Sequence, residues 1–287
     1  MEQPDVFVAV LVKQKEAVLP LFLESLEAWD YPKEKLFLYI RTNNNTDNTV
    51  QILDDWIEKN VHLYKGCVYD KQNVGEAVER FKQHEWNGER FRVLAKIRQQ
   101  SFNECLETDC KYYFVVDVDN FIFPETLNEL IKLDLPIVAP FIRYAVAFGD
   151  NVDDEETAKE REGHLGQYYA NYHHIVDDYG SIVANDAYYQ VLEQKVKGLI
   201  ECMCVHCTYL IKREHLSELS YLEDSDRWEY MVFSNSARDK NIKQYLDNRT
   251  IYGILTLSEN AGASRWWYEY LKDKEDRAAA YKDRWLQ

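Results

Sequence analysis

Positive charge is scarce in this sequence, in which 34 lysines and arginines stand against 50 aspartates and glutamates for a formal net charge of −16. A field of that sign repels phosphate backbones. No local cluster of basic residues offsets it. A nucleic-acid partner is therefore not expected. Any small anionic ligand would need a metal ion or a few local cations in order to bind.

The chain also lacks the segments that direct a protein to a membrane or hold it there. Its start, MEQPDVFVAVLVKQ, has no basic region followed by an apolar stretch of signal-peptide length. No apolar run approaches the roughly 20 residues of a spanning helix. Six cysteines in 287 residues do not make a disulfide framework. These absences predict a soluble protein, cytoplasmic as the sequence stands, that folds on its own core.

The first half of the sequence alternates regularly between apolar runs and helical patterns. Strands are predicted at five apolar runs, residues 6–12, 36–40, 61–69, 112–118 and 136–140. The longest helix is predicted over residues 89–107. This alternation predicts one Rossmann-like α/β domain, residues 1–287, with a mostly parallel sheet flanked by helices. Ligands of such sheets bind at the carboxyl ends of the strands.

The pattern weakens over residues 144–199, which are acidic, aromatic and weakly periodic. We predict a long variable loop or lid there, with a partly disordered insertion as the alternative for residues 150–163. Four further elements follow: a strand at 199–211, a helix at 228–237, a short strand near Ile242 and a C-terminal helix over 264–287.

Two aspartates close the most apolar predicted strand, in the segment Asp117-Val118-Asp119. Aspartate is depleted from strands, so its presence there needs a reason. Carboxylates one residue apart can turn together toward Mn²⁺ or Mg²⁺, which would bridge a diphosphate. Val118 would then lie against the bound nucleotide. Turn or capping carboxylates are an equally good interpretation of the pair taken alone.

A polar segment, RTNNNTDNT, follows the second predicted strand at residues 41–49. It lies at the same edge of the predicted sheet as the two aspartates. Thr42, Asn43, Asn45 and Asp47 are candidate nucleotide ligands, because amides suit recognition of a uracil or ribose. Capping of the next helix by Thr46 or Asp47 explains part of the segment without any ligand.

Lys96, Arg98 and Gln99 lie on the helix before the aspartate-bearing strand. We take Lys96 as the candidate that neutralises a diphosphate on this acidic protein. A solvated helix face is the commoner role of basic residues in a helix.

Three cysteines and a histidine cluster in the predicted strand at 199–211, namely Cys202, Cys204, His206 and Cys207. Closed zinc sites use cysteine pairs separated by a loop, so we predict buried strand cysteines instead. His206 is a candidate third ligand for a metal at Asp117 and Asp119, or a substrate contact. A buried histidine with satisfied hydrogen bonds is an equal alternative.

Acidic residues open the helix predicted at 228–237. Carboxylates in a first turn are favoured by the helix dipole, which is reason enough for their presence. In a functional interpretation Glu229, or failing it Asp226, is the general base that deprotonates an acceptor hydroxyl.

The chain resembles GT-A glycosyltransferases of the family-2 type, and more closely the N-terminal domain of the procollagen galactosyltransferases. The resemblance rests on LEAWDYPKEKLFLYIRTNNNTDNT (26–49), KIRQQSFNECL (96–106), YYFVVDVDNFIFPETL (112–127), PIVAP (136–140), VHCTYLI (205–211) and MVFSNSA (231–237). It covers most of residues 5–255, with the middle loop poorly matched.

This resemblance implies a UDP-galactose or UDP-glucose donor and Mn²⁺ held by Asp117 and Asp119. It implies transfer to hydroxylysine, or to a sugar already on it, in collagen-like protein. The Tyr-rich stretch 168–174 is expected to close over the donor sugar or to receive the acceptor. Arg227-Trp228-Glu229 stands where the relatives resemble Phe-Asp-Asp, so both inverting and retaining transfer stay open.

The relatives are secretory proteins with a second domain, and the sequence shows neither feature. It is therefore expected to be a stand-alone microbial or viral version. Two other functions are compatible with the residues: transfer to a polysaccharide or lipid-linked glycan, and non-catalytic binding of a nucleotide-sugar or a partner protein. The sequence does not indicate an oligomeric state.

Overall fold

A computed structural model describes residues 3–75, 87–145, 172–173, 186–256 and 260–285. The strands in these ranges are β1 (Val6–Val12), β2 (Leu36–Thr42), β3 (Gly66–Asp70), β4 (Tyr112–Asp117), β5 (Asn120–Ile122), β6 (Ile137–Pro140), β7 (Ile142–Tyr144), β8 (Tyr172–His173), β9 (Leu199–Cys202), β10 (Cys204–Val205), β11 (Thr208–Lys212), β12 (Gln244–Asp247) and β13 (Gly253–Leu255). The α-helices are α1 (Leu19–Glu27), α2 (Thr49–Asn60), α3 (Gly88–Leu106), α4 (Thr126–Lys132), α5 (Asp186–Leu192), α6 (Glu229–Asp239), α7 (Ala261–Lys272) and α8 (Arg277–Trp285).

Eight strands form the central sheet, in the order β3-β2-β1-β4-β11-β6-β12-β9. The first four are parallel neighbours, and β6 and β12 are also a parallel pair. Strands β11 and β9 run antiparallel to their neighbours. The sheet is therefore mostly parallel and flanked by helices, and the predicted fold class is confirmed.

The middle of the central sheet is apolar, as expected for strands whose two faces are both buried. Strand β1 pairs with β2 on one side and β4 on the other, so that Leu11 lies beside Asp117. Six of its seven residues are buried, as a near-continuous apolar run in a parallel sheet requires. Helix α3 packs against both β2 and α6. Because β1 is parallel to both β2 and β4, the carboxyl ends of these three strands meet at one edge of the sheet.

Two predicted strands and the predicted C-terminal helix differ from the structure. Strand β3 begins at Gly66, because residues 61–63 continue α2 as a turn of 3₁₀ helix. The single strand predicted at 199–211 is three strands, β9, β10 and β11, which pair with β12, β8 and β4 respectively. A turn at Cys207, with φ of +63°, interrupts the run where a continuous strand would have kept one direction.

The C-terminal segment is two helices rather than the one predicted over 264–287. Helix α7 ends at Lys272, and the Arg277 side chain donates to the carbonyls of Leu271 (3.1 Å) and Lys272 (2.6 Å). A cationic donor at the last carbonyls terminates a helix favourably. The Arg277 guanidinium also lies 4.2 Å from the ring centroid of Phe123.

Most of the predicted loop at 144–199 lies outside the described residues, which there comprise 144–145, 172–173 and 186–199. The predicted sugar-facing stretch 168–174 is likewise outside them except at 172–173. Tyr172 itself is fully buried, and its hydroxyl donates to the Tyr188 carbonyl at 3.3 Å. It therefore does not offer a ring face to a sugar. Among the described helices, none is long and apolar enough to cross a membrane.

Candidate active site

The two aspartates lie at the carboxyl edge of the central sheet. Asp117 is the last residue of β4, and Asp119 immediately precedes β5. The turn between them is fixed on both sides: the Thr256 amide donates to the Asp119 carbonyl (2.9 Å), and the Asn120 amide group donates to Thr208 Oγ1 (2.8 Å). The sequence rule that places ligands at this edge therefore located the pair correctly.

Arg98 of α3 holds the first of these aspartates. Its Nη2 donates to Asp117 Oδ1 and Oδ2 at 3.0 and 3.1 Å. Its Nε lies 3.4 Å from Oε1 of Glu229, the first residue of α6. One buried guanidinium thus joins the candidate metal ligand to the candidate base. Burial raises the pKa of Asp117 and of Glu229, and the charge of Arg98 opposes that rise in both.

The second aspartate is paired with a residue that the sequence analysis missed. Lys15 Nζ lies 3.2 Å from Asp119 Oδ2. The backbone of Lys15 is fixed by its amide, which donates to Thr49 Oγ1 at 2.8 Å. A basic residue just beyond the carboxyl end of β1 was the available signal, since that end had been predicted to meet the site.

The side chains of the 41–49 segment are occupied in holding the loop after β1. Asn45 accepts from the Gln14 amide (2.8 Å) and donates to Thr42 Oγ1 (2.6 Å). Asp47 accepts from the amides of Glu16 and Thr49, each at 3.1 Å. These bonds give Thr42, Asn45 and Asp47 a structural role. Nucleotide binding by this segment stays a prediction.

The other three candidate nucleotide ligands differ in burial and in their position relative to the aspartate pair. They are Asn43, Val118 and Lys96. Asn43 is buried at the strand end, with its side chain donating to Asn44 Oδ1 at 3.1 Å. Val118 is buried in the core between the two aspartates. Lys96 is exposed and lies two residues from Arg98, about 200° around the helix. Arg98, rather than Lys96, is the cation that α3 brings to the carboxylates.

His206 is buried next to the turn at Cys207. Its ring stacks on Tyr230 with centroids 4.7 Å apart, and Nδ1 lies 2.8 Å from Cys207 Sγ. Within the described ranges, no group of three or more His, Cys, Asp or Glu is arranged to hold a metal ion. Asp117, Asp119 and His206 thus do not form such a group among the described residues, and a third ligand from His206 stays a prediction.

The neighbouring cysteines have separate roles. Cys202 and Cys204 are buried, as predicted for strand cysteines. Cys207 forms a tight turn in which the Thr208 amide donates to the His206 carbonyl at 2.7 Å. The Cys207 carbonyl in turn accepts from the Asp117 amide at 3.1 Å. This turn fixes the backbone of the aspartate pair.

The two candidate bases have opposite environments. Glu229 is 4% exposed and belongs to the Arg98 network. The side chain of Asp226 is 79% exposed and pairs with Arg92 near the start of α3. Only Glu229 is therefore joined to the aspartate pair.

The aspartate pair fits a hard divalent cation by its chemistry. Asp117 and Asp119 present carboxylate oxygens and keep side-chain exposures of 21% and 28%. Mg²⁺-type sites commonly use one or two protein carboxylates, with phosphates and water as the other ligands. Lys15 Nζ, 3.2 Å from Asp119 Oδ2, already places one positive charge beside this pair.

Residues 3–151, just over half of the 287-residue chain, match the sequence family described as glycosyltransferase family 25, N-terminal domain. The chain belongs to glycosyltransferase family 25. This family-25 chain is 30% identical to procollagen galactosyltransferase 2 of Mus musculus over 265 residues, which are 89% of the chain and 39% of that protein. Procollagen galactosyltransferase 2 of Homo sapiens is 30% identical over 266 residues, 90% of the chain and 39% of that protein. The chain spans about two fifths of the length of these relatives.

Solved structures show that the family-25 chain has the GT-A fold. S. aureus TarS 1-349 in complex with UDP-GlcNAc superposes with a TM-score of 0.52 and 14% identity, covering 98% of the chain and 70% of the 1-349 chain of TarS. The mannosyltransferase PcManGT from Pyrobaculum calidifontis, in complex with GDP-Man and Mn²⁺, gives 0.50 and 14%, covering 99% and 72%. At such identities the likeness concerns the fold alone.

Proposed function

We propose that this family-25 chain transfers galactose or glucose from a UDP-sugar to an acceptor hydroxyl, that of hydroxylysine or galactosylhydroxylysine in a collagen-like protein. Family membership and the procollagen galactosyltransferases among its relatives support this proposal. The observation that carries it is the placement of Asp117, Asp119 and Glu229 at the carboxyl edge of a GT-A sheet.

On the donor side, Asp117 and Asp119 would hold Mn²⁺ or Mg²⁺, which supplies charge neutralisation for a departing diphosphate when bound. Lys15 adds a fixed positive charge 3.2 Å from Asp119 on this strongly acidic protein. Lys96 and the 41–48 segment, with Thr42, Asn43, Asn45 and Asp47, are the proposed contacts of the nucleotide.

On the acceptor side, Glu229 is the proposed general base, with Asp226 as the less favoured alternative. Glu229 Oε2 is buried and accepts no hydrogen bond among the described residues, so it can still take a proton. Burial raises the pKa of Glu229 toward the working pH, where a general base is most effective. Asp226 is the less favoured alternative because its side chain is 79% exposed and pairs with Arg92 rather than with Arg98.

The test is UDP release from a panel of UDP-sugars with Mn²⁺, with and without a hydroxylysine-containing collagen peptide and its galactosylated form. Asp119→Asn is expected to lower turnover about 100-fold or more, since it removes a charge fixed at the reacting centre. Asp134→Asn is the matched control: Asp134 also pairs with a lysine, Lys212 at 2.8 Å, but at the opposite edge of the sheet.

Each outcome of this assay separates the candidate functions. Stimulation by one peptide, lost in Asp119→Asn and kept in Asp134→Asn, supports transfer to collagen-like protein. UDP-sugar hydrolysis that neither peptide stimulates rejects the collagen acceptor and favours a glycan. Mn²⁺-dependent UDP binding without any turnover favours a non-catalytic domain.

A further inference from the structure

A single arginine contacts both carboxylates that the proposed reaction needs. Arg98 Nη2 lies 3.0 Å from Asp117 Oδ1, and Arg98 Nε lies 3.4 Å from Glu229 Oε1. The exposed fractions of these side chains are 7% for Arg98, 21% for Asp117 and 5% for Glu229. Arg98 and Glu229 are buried and Asp117 is partly exposed, so the three groups form one largely buried trio rather than two surface pairs.

The trio joins three elements that are distant in sequence. Arg98 lies in the middle of α3, Asp117 ends β4, and Glu229 begins α6. A planar guanidinium can donate in two fixed directions at once, whereas an ammonium is a point charge on a flexible stem. The separation of the two carboxylates is thus set by the shape of one side chain.

Two polar atoms of this trio have no hydrogen-bond partner among the described residues. Arg98 Nη1 and Glu229 Oε2 are buried and lack a hydrogen-bond partner in the part of the chain that the structure describes. Buried polar atoms in native proteins are nearly always paired, so a donor and an acceptor left open at one site indicate a place for polar ligand atoms or water.

A second arginine on the same helix provides the contrast. Arg92 lies six residues earlier and pairs with Asp226, and the two side chains are 46% and 79% exposed. An exposed pair of this kind contributes little, because water screens it and both side chains lose freedom. Proximity of an arginine to one carboxylate is therefore not enough to indicate a role in the site. Arg98 differs from Arg92 because it is buried and contacts two carboxylates.

We propose that Arg98 is the positioning residue of the site, which holds Asp117 on the donor side and Glu229 on the acceptor side at a fixed separation. This inference rests on the proposed function of those two carboxylates. Transfer requires the reacting groups to be aligned within a fraction of an ångström, so loosening either carboxylate lowers the rate more than it lowers donor binding.

The first experiment compares Arg98→Lys with Arg92→Lys, because lysine keeps the charge and loses the two-directional contact. For Arg98→Lys we expect kcat to fall about 10-fold or more and Mn²⁺-dependent UDP affinity to fall by a smaller factor of about 3. Arg92→Lys is expected to stay within about 2-fold in both. Thermal unfolding of each variant establishes that it is folded. Wild-type kcat in Arg98→Lys would overturn the proposal.

Two double-mutant cycles distinguish positioning from a general loss of structure. If Arg98 acts through Glu229, Arg98→Lys adds little to the kcat loss of Glu229→Gln. If it acts through Asp117, it adds little to the loss of UDP affinity in Asp117→Asn. Losses that multiply independently in both cycles would overturn the proposal.

The cycles also separate this proposal from the proposed function. If the wild type binds UDP with Mn²⁺ but turns over no UDP-sugar, the proposed function fails. The affinity cycle between Arg98 and Asp117 then decides: coupled losses support positioning, and independent losses reject it. A wild type with neither turnover nor UDP binding overturns both proposals.

Discussion

The two halves of the central sheet are formed by the chain in different ways. Strands β3, β2, β1 and β4, the parallel half, come from successive segments joined by helices. Strands β11, β6, β12 and β9, the assembled half, come from segments far apart in sequence and run in mixed directions. Local pattern is therefore sufficient to predict the parallel half, whereas the assembled half depends on which distant segments pair.

The candidate site lies on the boundary between these halves. Asp117 ends the last strand of the parallel half, and Cys207 and Glu229 come from the segments around β11 and α6. Arg98, on α3, contacts a residue on each side of this boundary, Asp117 and Glu229. Four predictions, taken from the largest expected effect to the smallest, test how different regions of the molecule respond to change.

The largest effect on stability is expected at the boundary, for Arg98→Met. It leaves Asp117 and Glu229 buried without their shared cation, which typically costs about 3–5 kcal/mol of unfolding free energy. Arg92→Met, in the exposed pair with Asp226, should cost less than about 1 kcal/mol. Urea unfolding of both variants measures this, and equal costs would show that the boundary trio contributes nothing special.

Glycine-to-alanine substitutions should affect the parallel half of the central sheet and the separate three-stranded sheet β5-β13-β7 unequally. A Cβ at Gly253, in β13, would lie 2.6 Å from the Phe121 carbonyl oxygen and 2.8 Å from Ile122 Cα, both of them backbone atoms. A Cβ at Gly66, at the start of β3, would meet the side-chain ring of Phe37 at 2.6 Å. Since a ring can move and backbone cannot, Gly253→Ala should cost about 1–3 kcal/mol and Gly66→Ala less than about 1.

The measurement is again the urea midpoint, with the m-value as the control for a two-state transition. A larger loss for Gly66→Ala than for Gly253→Ala would contradict the view that a glycine packed against backbone tolerates a side chain less well than one packed against a ring.

Alkaline pH should weaken both halves through buried thiols. Burial raises the pKa of Cys105 to about 12 and that of Cys202 well above its ordinary value. Above pH 9 the unfolded thiol ionises while the folded one keeps its proton, so the unfolded state binds fewer protons and stability falls as pH rises. Each thiol should cost about 1 kcal/mol between pH 9 and 10.

Urea unfolding at pH 7.5, 9 and 10 tests this in the wild type, Cys105→Ala and Cys202→Ala. Each substitution should make the loss of stability with pH shallower by a similar amount. A slope that neither substitution changes would mean that other groups cause the alkaline loss.

The smallest effect is expected for the ion pair between α1 and α7. A hydrogen bond from Arg265 lowers the pKa of Glu24, so its stabilising contribution is present above the ordinary pKa of a glutamate and is lost as the pH falls below it. The side chains are 47% and 56% exposed, so Glu24→Gln should cost less than about 0.5 kcal/mol at pH 7. High salt should remove the difference from wild type in thermal unfolding.

Much of the site could be predicted from the sequence, because strand ends follow from apolar runs. The positions of Asp117, Asp119 and the 41–49 segment at one edge needed only the rule that parallel strands share a carboxyl edge. The sequence favoured Glu229 over Asp226 as the candidate base, but the burial of Glu229 and the exposure of Asp226 did not follow, since only tertiary packing decides which of two nearby carboxylates is covered. The same limit led the sequence analysis to Lys96 rather than Arg98 on α3.

Local sequence patterns were sufficient for the fold class, for the long helix α3 and for the position of the aspartate pair at a strand end, because apolar periodicity and residue chemistry are local properties of the chain. Tertiary structure alone decided that residues 199–211 divide among three strands, that Lys15 meets Asp119, and that Arg98 joins Asp117 to Glu229. These contacts join elements separated by many residues, and no local pattern specifies which of several possible partners will be buried together.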